Sequence, residues 1–172
     1  QRAKRDNIHS RIHCIQGNGA SLPIADCSYD RLNHSDVLCC LPEKHEFLGE
    51  CRRVATDSAV MYFSVLLPAG NLSSDDYARV LEFGPPHIDT PDGYDDMLAA
   101  AGWKTRTFLD VTAEFDASLQ SLVASQAKYK KELIELYGES DYHDQVNRRI
   151  TEQKLTSQNQ LKRVIYVVDA VA

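Results

Sequence analysis

The chain has 172 residues, 43% of them hydrophobic and 26% charged, which is enough for one domain with a sizeable core and ordinary for a globular protein. A net charge of −6 argues against a general binder of nucleic acid or anionic membrane, because such surfaces replace counterions with lysine and arginine. No apolar stretch approaches the roughly 18–20 residues that span a bilayer, and the polar start Gln1-Arg2-Ala3-Lys4-Arg5 is unlike a secretory signal, so a cytoplasmic location is expected.

In chain order, residues 1–10 read as the end of a polar helix, with Arg2 to Arg5 on its solvated face, and 11–16 as a short strand. Two glycines and Pro23 make 17–28 a loop, and 31–33 is a weak strand. Phe47, Cys51 and Val54, spaced four and three apart, give one buried helix face over 43–56. The run 59–67 lacks alternation and suits a strand covered on both faces, as in a parallel sheet. The long acidic connection 68–91 holds a short helix over 76–82, with Ser73 or Ser74 as cap. A helix over 93–101, stopped by Gly102, precedes a strand over 103–109. Three- and four-residue steps from Phe115 through Leu119, Leu122, Gln126, Tyr129 and Leu133 to Leu136 predict one long amphipathic helix ending at Gly138. A polar helix over 142–157, with Val146 and Ile150 as its core residues, and a buried-type strand over 163–168 complete the chain. The five cysteines are odd in number and lack Cys-x-x-Cys spacing, so free buried thiols are expected.

Three segments could carry chemistry. Asn18 in the turn Gly17-Asn18-Gly19 offers an amide oxygen to an exocyclic amine, and Gly19 removes a side chain where backbone approaches a ligand; the competing reading is a plain strand-ending turn. Gly17-x-Gly19 is not a dinucleotide fingerprint, because Leu22 and Pro23 follow and no helix opens. In the stretch 33–40, His34 has the ordinary pKa of a general base, against the plainer reading of a polar loop histidine, and Asp36 is placed to cap the next short helix. His87, Asp89, Asp92, Tyr94, Asp95 and Asp96 form either part of a lid favouring a cationic amine or a solvated acidic loop. His87-x-Asp89 lacks further ligands at persuasive spacing, so no metal site is expected.

Asn18-Gly19-Ala20-Ser21-Leu22-Pro23, then Tyr29-Asp30, then a helix ending Arg53-Val54-Ala55, resembles class I S-adenosylmethionine-dependent methyltransferases, in particular the small-molecule type 11 group. Ala101-Gly102-Trp103 and Asp110-Val111-Thr112 match later points of the same pattern, and the likeness runs from about residue 8 to 168. The resemblance implies an α/β fold: the C-terminal two-thirds of a Rossmann-like sheet, as one partial domain over 1–172 with a helical cap inserted at about 113–160. It implies S-adenosylmethionine as cofactor, with Asn18 and Gly19 at the adenine and His34 and Ser35 by the methionine end. His34 is then a weak candidate for catalysis, and His87 and Tyr94 are weak candidates for acceptor contacts. Phosphobase-type relatives place a catalytic histidine where this chain has Cys40, so that role does not carry over. The helix-to-strand junction, usually ending Pro-Gly-Gly, is here Thr56-Asp57-Ser58-Ala59. The family's glycine-rich loop and ribose-binding acid belong upstream of Gln1, so the 172 residues alone are expected to be inactive and to need self-association or the missing N-terminal segment. Methyl transfer to a small-molecule amine, oxygen or carbon acceptor is the expected function, with a non-catalytic scaffold of the same fold as the alternative.

Overall fold

The computed structural model describes residues 2–171 as a mixed α/β unit built on one four-stranded sheet. Its elements are α1 (Arg2–Arg5), β1 (Tyr29–Ser35), α2 (Lys44–Val54), β2 (Ala55–Pro68), α3 (Ser74–Phe83), α4 (Tyr94–Ala100), β3 (Trp103–Asp110), α5 (Thr112–Lys128), α6 (Lys130–Tyr137), α7 (Glu139–Ser157) and β4 (Leu161–Ala170). The strand order is β1-β2-β4-β3; β1 and β2 run parallel, and β4 is antiparallel to both β2 and β3.

The amphipathic patterns dictate most of this. Phe47, Leu48, Cys51 and Val54 bury one face of α2. Ser73 caps α3 by accepting from the Asp76 N–H at 3.1 Å, which satisfies a donor that a helix start otherwise leaves orphaned. Gly102, at φ +80°, turns the chain from α4 into β3, where buried Trp103 donates its indole N–H to the Leu48 carbonyl at 3.2 Å.

Strand alternation puts His34, Phe63, Tyr166 and Phe108 in one row across all four strands. Their rings touch in sequence: His34 on Phe63 at 4.8 Å, Phe63 on Tyr166 at 5.1 Å, and Phe108 against Tyr166 at 5.1 Å. Phe47 of α2 and Tyr94 of α4 pack onto this row.

Several expectations are corrected. Residues 11–16 are not a strand: a 3-10 turn occupies His9–Arg11, and Ile12 and Ile15 stand exposed. No strand lies beside them among the described residues, and an extended segment without a neighbour gains no ladder hydrogen bonds. The polar helix of 1–10 shrinks to α1; Gln1 and the side chains of Arg2 and Ala3 lie outside the described residues, whereas Lys4 and Arg5 are exposed.

The strand expected at 31–33 extends over Tyr29–Ser35, so Asn33, His34 and Ser35 belong to β1 rather than to a loop beyond it. Asp36 does not cap the following 3-10 turn; it sits at φ +53° with its carboxylate turned elsewhere. β2 is covered on both faces over 63–66, where Phe63, Ser64, Val65 and Leu66 are all buried, but not at Tyr62, which is 40% exposed; it pairs parallel with β1 and antiparallel with β4.

The long helix breaks at Tyr129, whose φ of −103° and ψ of 25° leave the helical region, giving α5 and α6. Its apolar stripe is largely uncovered, with Leu119 buried but Leu122, Tyr129 and Leu136 exposed. In α7 the buried residues are Tyr142, Glu152, Leu155 and Thr156, while Val146 and Ile150 are half-buried. Of the five free cysteines only Cys39 and Cys51 are buried, and burial pushes both thiols up to about 12.

Candidate functional site

The carboxyl ends of the parallel strands β1 and β2 hold the chemistry-bearing residues, where ligand crevices of open α/β sheets form. His34 is sandwiched there, stacked on Phe63 with rings 15° apart and meeting the Phe47 ring edge-on at 5.1 Å. Both imidazole nitrogens are buried without a hydrogen-bond partner. Burial lowers its pKa to about 4, with the Asp36 carboxylate pulling weakly the other way. His34 is therefore a neutral imidazole at physiological pH, holding one unspent N–H donor and one unspent acceptor. A group that protonates only near pH 4 makes a feeble general base, so its chemistry is hydrogen bonding and shape rather than proton abstraction.

The neighbouring Ser35 points to the opposite face of the sheet. Its hydroxyl shares a 2.9 Å hydrogen bond with Ser64 and accepts from Arg163 at 3.1 Å.

The turn 17–23 lies against the same aromatic ring. A β-carbon at Gly19 would sit 2.7 Å from Phe47 Cδ2, so only glycine lets the backbone come this close. The Asn18 side-chain oxygen accepts from the Ala20 N–H at 3.0 Å, keeping a second lone pair and the amide NH2 available. Phe47 thus joins Gly19 to His34, bringing together two segments that the sequence separates by fifteen positions.

One arginine of α2 fixes this turn. Arg53 donates to the carbonyls of Leu22 at 3.1 Å and Ile24 at 2.8 Å, to Asp26 at 2.5 Å and to Glu50 at 2.8 Å. Glu50 in turn accepts from the Leu22 N–H at 2.8 Å. The Arg53 guanidinium, and after it that N–H, hold the Glu50 carboxyl down at about 2. The sequence marked Arg53 only as a motif position; Glu50-x-x-Arg53, three apart on a helix, was the legible signal for the clamp.

The two acceptor candidates are not brought together. His87 has an exposed side chain, and only its backbone is held, its N–H bonded to Cys39 O at 3.0 Å and its carbonyl to the buried Lys44 ammonium at 2.6 Å. Tyr94 is buried and lines a cavity of 290 Å³ beyond the end of β2, with Tyr77, Asp89 and Tyr166. Among the described residues no helix is long and apolar enough to cross a membrane, and no group of three or more His, Cys, Asp or Glu is placed to hold a metal.

Residues 1–63 match the family described as methyltransferase domain. The fold superposes, at a TM-score of 0.87 and 14% identity, on a protein assigned as a sarcosine dimethylglycine methyltransferase from Galdieria sulphuraria, covering 99% of this chain and 63% of that one. The [4+2]-cyclase SpnF matches at a TM-score of 0.80 and 15% identity, over 99% of this chain and 60% of its own. Geranyl diphosphate C-methyltransferase from Streptomyces coelicolor A3(2) matches at 0.71 and 13% identity, over 99% and 59%. The chain therefore spans less than two thirds of the length of each of these relatives. A search of curated proteins gave no match.

Proposed function

From a chain with the class I S-adenosylmethionine-dependent methyltransferase fold, matched to the methyltransferase domain over residues 1–63, we propose a part in methyl transfer from S-adenosylmethionine to a small-molecule amine, oxygen or carbon acceptor. The observation that carries this reading is Phe47, which gathers the Asn18–Gly19 turn and His34 at the carboxyl end of β1. The residues fit the cofactor: His34 has two buried, unpartnered nitrogens beside that crevice, and Asn18 keeps a free lone pair for the adenine amine.

The cofactor supplies a sulfonium whose methyl passes in line to the acceptor, leaving a neutral thioether. For such a reaction the protein mainly positions and desolvates. Asn18 and Gly19 hold the adenine edge. The neutral His34 lines the methionine end, with Phe47 and Phe63 excluding water around the imidazole, whereas Ser35, on the opposite face, fastens the end of β1 to Ser64 and Arg163. Tyr94 and His87 are the acceptor-side groups, and α5 to α7 form the cap over the acceptor.

The free edge of β1 needs completion, because it offers unpaired backbone on the side away from β2. A further segment or a second copy paired along β1 fills that edge, and without it the 172 residues bind cofactor feebly. One observation keeps a second reading: the same fold serves a protein named a [4+2]-cyclase, so a chain of this shape need not transfer methyl groups. Binding without turnover in the whole protein would favour that reading.

Calorimetric titration of the whole protein with S-adenosylmethionine should show saturable binding that Asn18→Ala weakens by about three- to tenfold, the worth of one hydrogen bond. Unchanged affinity in that variant would sink the adenine role.

A further inference from the structure

The fold places one arginine where three strands and the helical insertion meet. Arg163, near the start of β4, reaches across β2 to the turn that ends β1. Its Nε donates to Asp36 Oδ1 at 3.2 Å and its Nη2 to Asp36 Oδ2 at 2.8 Å, a two-pronged grip on one carboxylate. The same Nη2 lies 3.1 Å from the hydroxyls of Ser35 and Ser64, and Ser64 donates to Asp36 Oδ1 at 3.0 Å. The guanidinium carbon sits over the Phe115 ring of α5, 5.2 Å from its centre.

What this grip holds is a backbone that does not rest there unaided. Asp36 has φ +53°, a left-handed conformation that non-glycine residues adopt only with local support. Its N–H bonds to Ser64 O at 2.8 Å, so β1 ends in a turn fastened to β2. Asp36 directly follows Ser35 and lies two residues from His34.

We propose that Arg163 is a positioning residue: it locks the Ser35–Asp36 turn in its left-handed form and, by sitting on Phe115, couples that turn to the cap helix α5. A shift of the insertion therefore loosens the carboxyl end of β1, and ordering of either steadies the other. The lock itself is independent of ligand; its value for catalysis rests on the methyltransferase reading above.

Amide hydrogen exchange tests it on the chain as it stands, with Asp36 as the reporting amide. Arg163→Met should speed exchange at Asp36 and through residues 37–41 by about tenfold or more, the loss expected when charge-assisted hydrogen bonds go. Exchange in β3 and α4 should stay unchanged. Arg163→Lys should fail to restore protection, because a single ammonium cannot grip both carboxylate oxygens. Phe115→Leu, which leaves the hydrogen-bonding groups of Arg163, Ser35 and Asp36 in place, should also speed exchange at Asp36; this readout separates coupling from local damage, and it serves if Arg163→Met does not fold.

Uniform acceleration across the sheet, or an unmoved Asp36 amide in Phe115→Leu, would overturn the coupling. In the whole protein, titration with S-adenosylhomocysteine adds a second arm. If the wild type binds and Phe115→Leu binds severalfold more weakly, the lock serves the site; equal affinities would show that it does not. A wild type that does not bind would defeat the methyltransferase reading and leave the exchange result to decide the lock.

Discussion

Acidification from pH 6.5 to 4 should cost the fold about 3 kcal/mol through His34 alone, and His34→Phe should remove that loss. The sign follows from where the proton goes. The folded imidazole stays neutral until about pH 4, because burial between Phe47 and Phe63 disfavours its charge. The unfolded chain takes up that proton near pH 6.5, so the unfolded state binds more protons throughout the interval. Stability from this group is complete above pH 6.5 and declines as pH falls toward 4. Asp36 works in the opposite sense but does not cancel the desolvation. Phenylalanine keeps the stacking and removes two buried, unpartnered nitrogens, so the variant should be at least as stable as wild type at pH 7. Urea unfolding of both proteins at pH 7 and pH 4.5 measures this. Parallel pH profiles would show that His34 is not the acid-sensitive group.

The second large effect lies one strand away. Phe63 is fully buried at the centre of the ring row, touching His34, Tyr166 and Tyr94. Phe63→Ala should destabilise the fold by about 3–5 kcal/mol, combining lost transfer energy with a cavity that three rigid rings cannot collapse into. Because His34 then loses its stacking partner, its pKa should rise toward the ordinary histidine range as water enters. Urea midpoints give the first quantity and NMR titration of the His34 ring the second. A loss below 1 kcal/mol would mean that the row repacks around the gap.

The parts legible in the sequence were those whose cause is local. Phe47, Cys51 and Val54 declared the buried face of α2, Ser73 declared the cap of α3, and Gly102 before Trp103 declared a stop and a core anchor. Residues 11–16 have the composition of a strand, yet a strand needs a neighbour, and composition does not say whether one is there. The stripe from Phe115 to Leu136 has helical spacing throughout, and no glycine or proline marks the break at Tyr129.

At the site, Asn18, Gly19, His34 and Ser35 were named from motif register. That Phe47 connects the first pair to His34 was invisible, because its spacing reads equally well as plain core. Arg163 gave no signal at all: its partner Asp36 lies 127 positions away, and nothing in the run 163–168 distinguishes it from a strand-edge arginine.

The central claim, that the Asn18–Gly19 turn and the end of β1 form one cofactor edge, is tested most directly by titrating S-adenosylhomocysteine into the isotopically labelled 172-residue chain and following its amide resonances. NMR reads the feeble binding expected of this chain. The account predicts saturable shifts confined to Asn18, Gly19, Phe47 and residues 34–36, with β3 and α7 unmoved. No shifts at saturating ligand, or shifts that gather in α5 to α7 and leave Gly19 and His34 untouched, would contradict it.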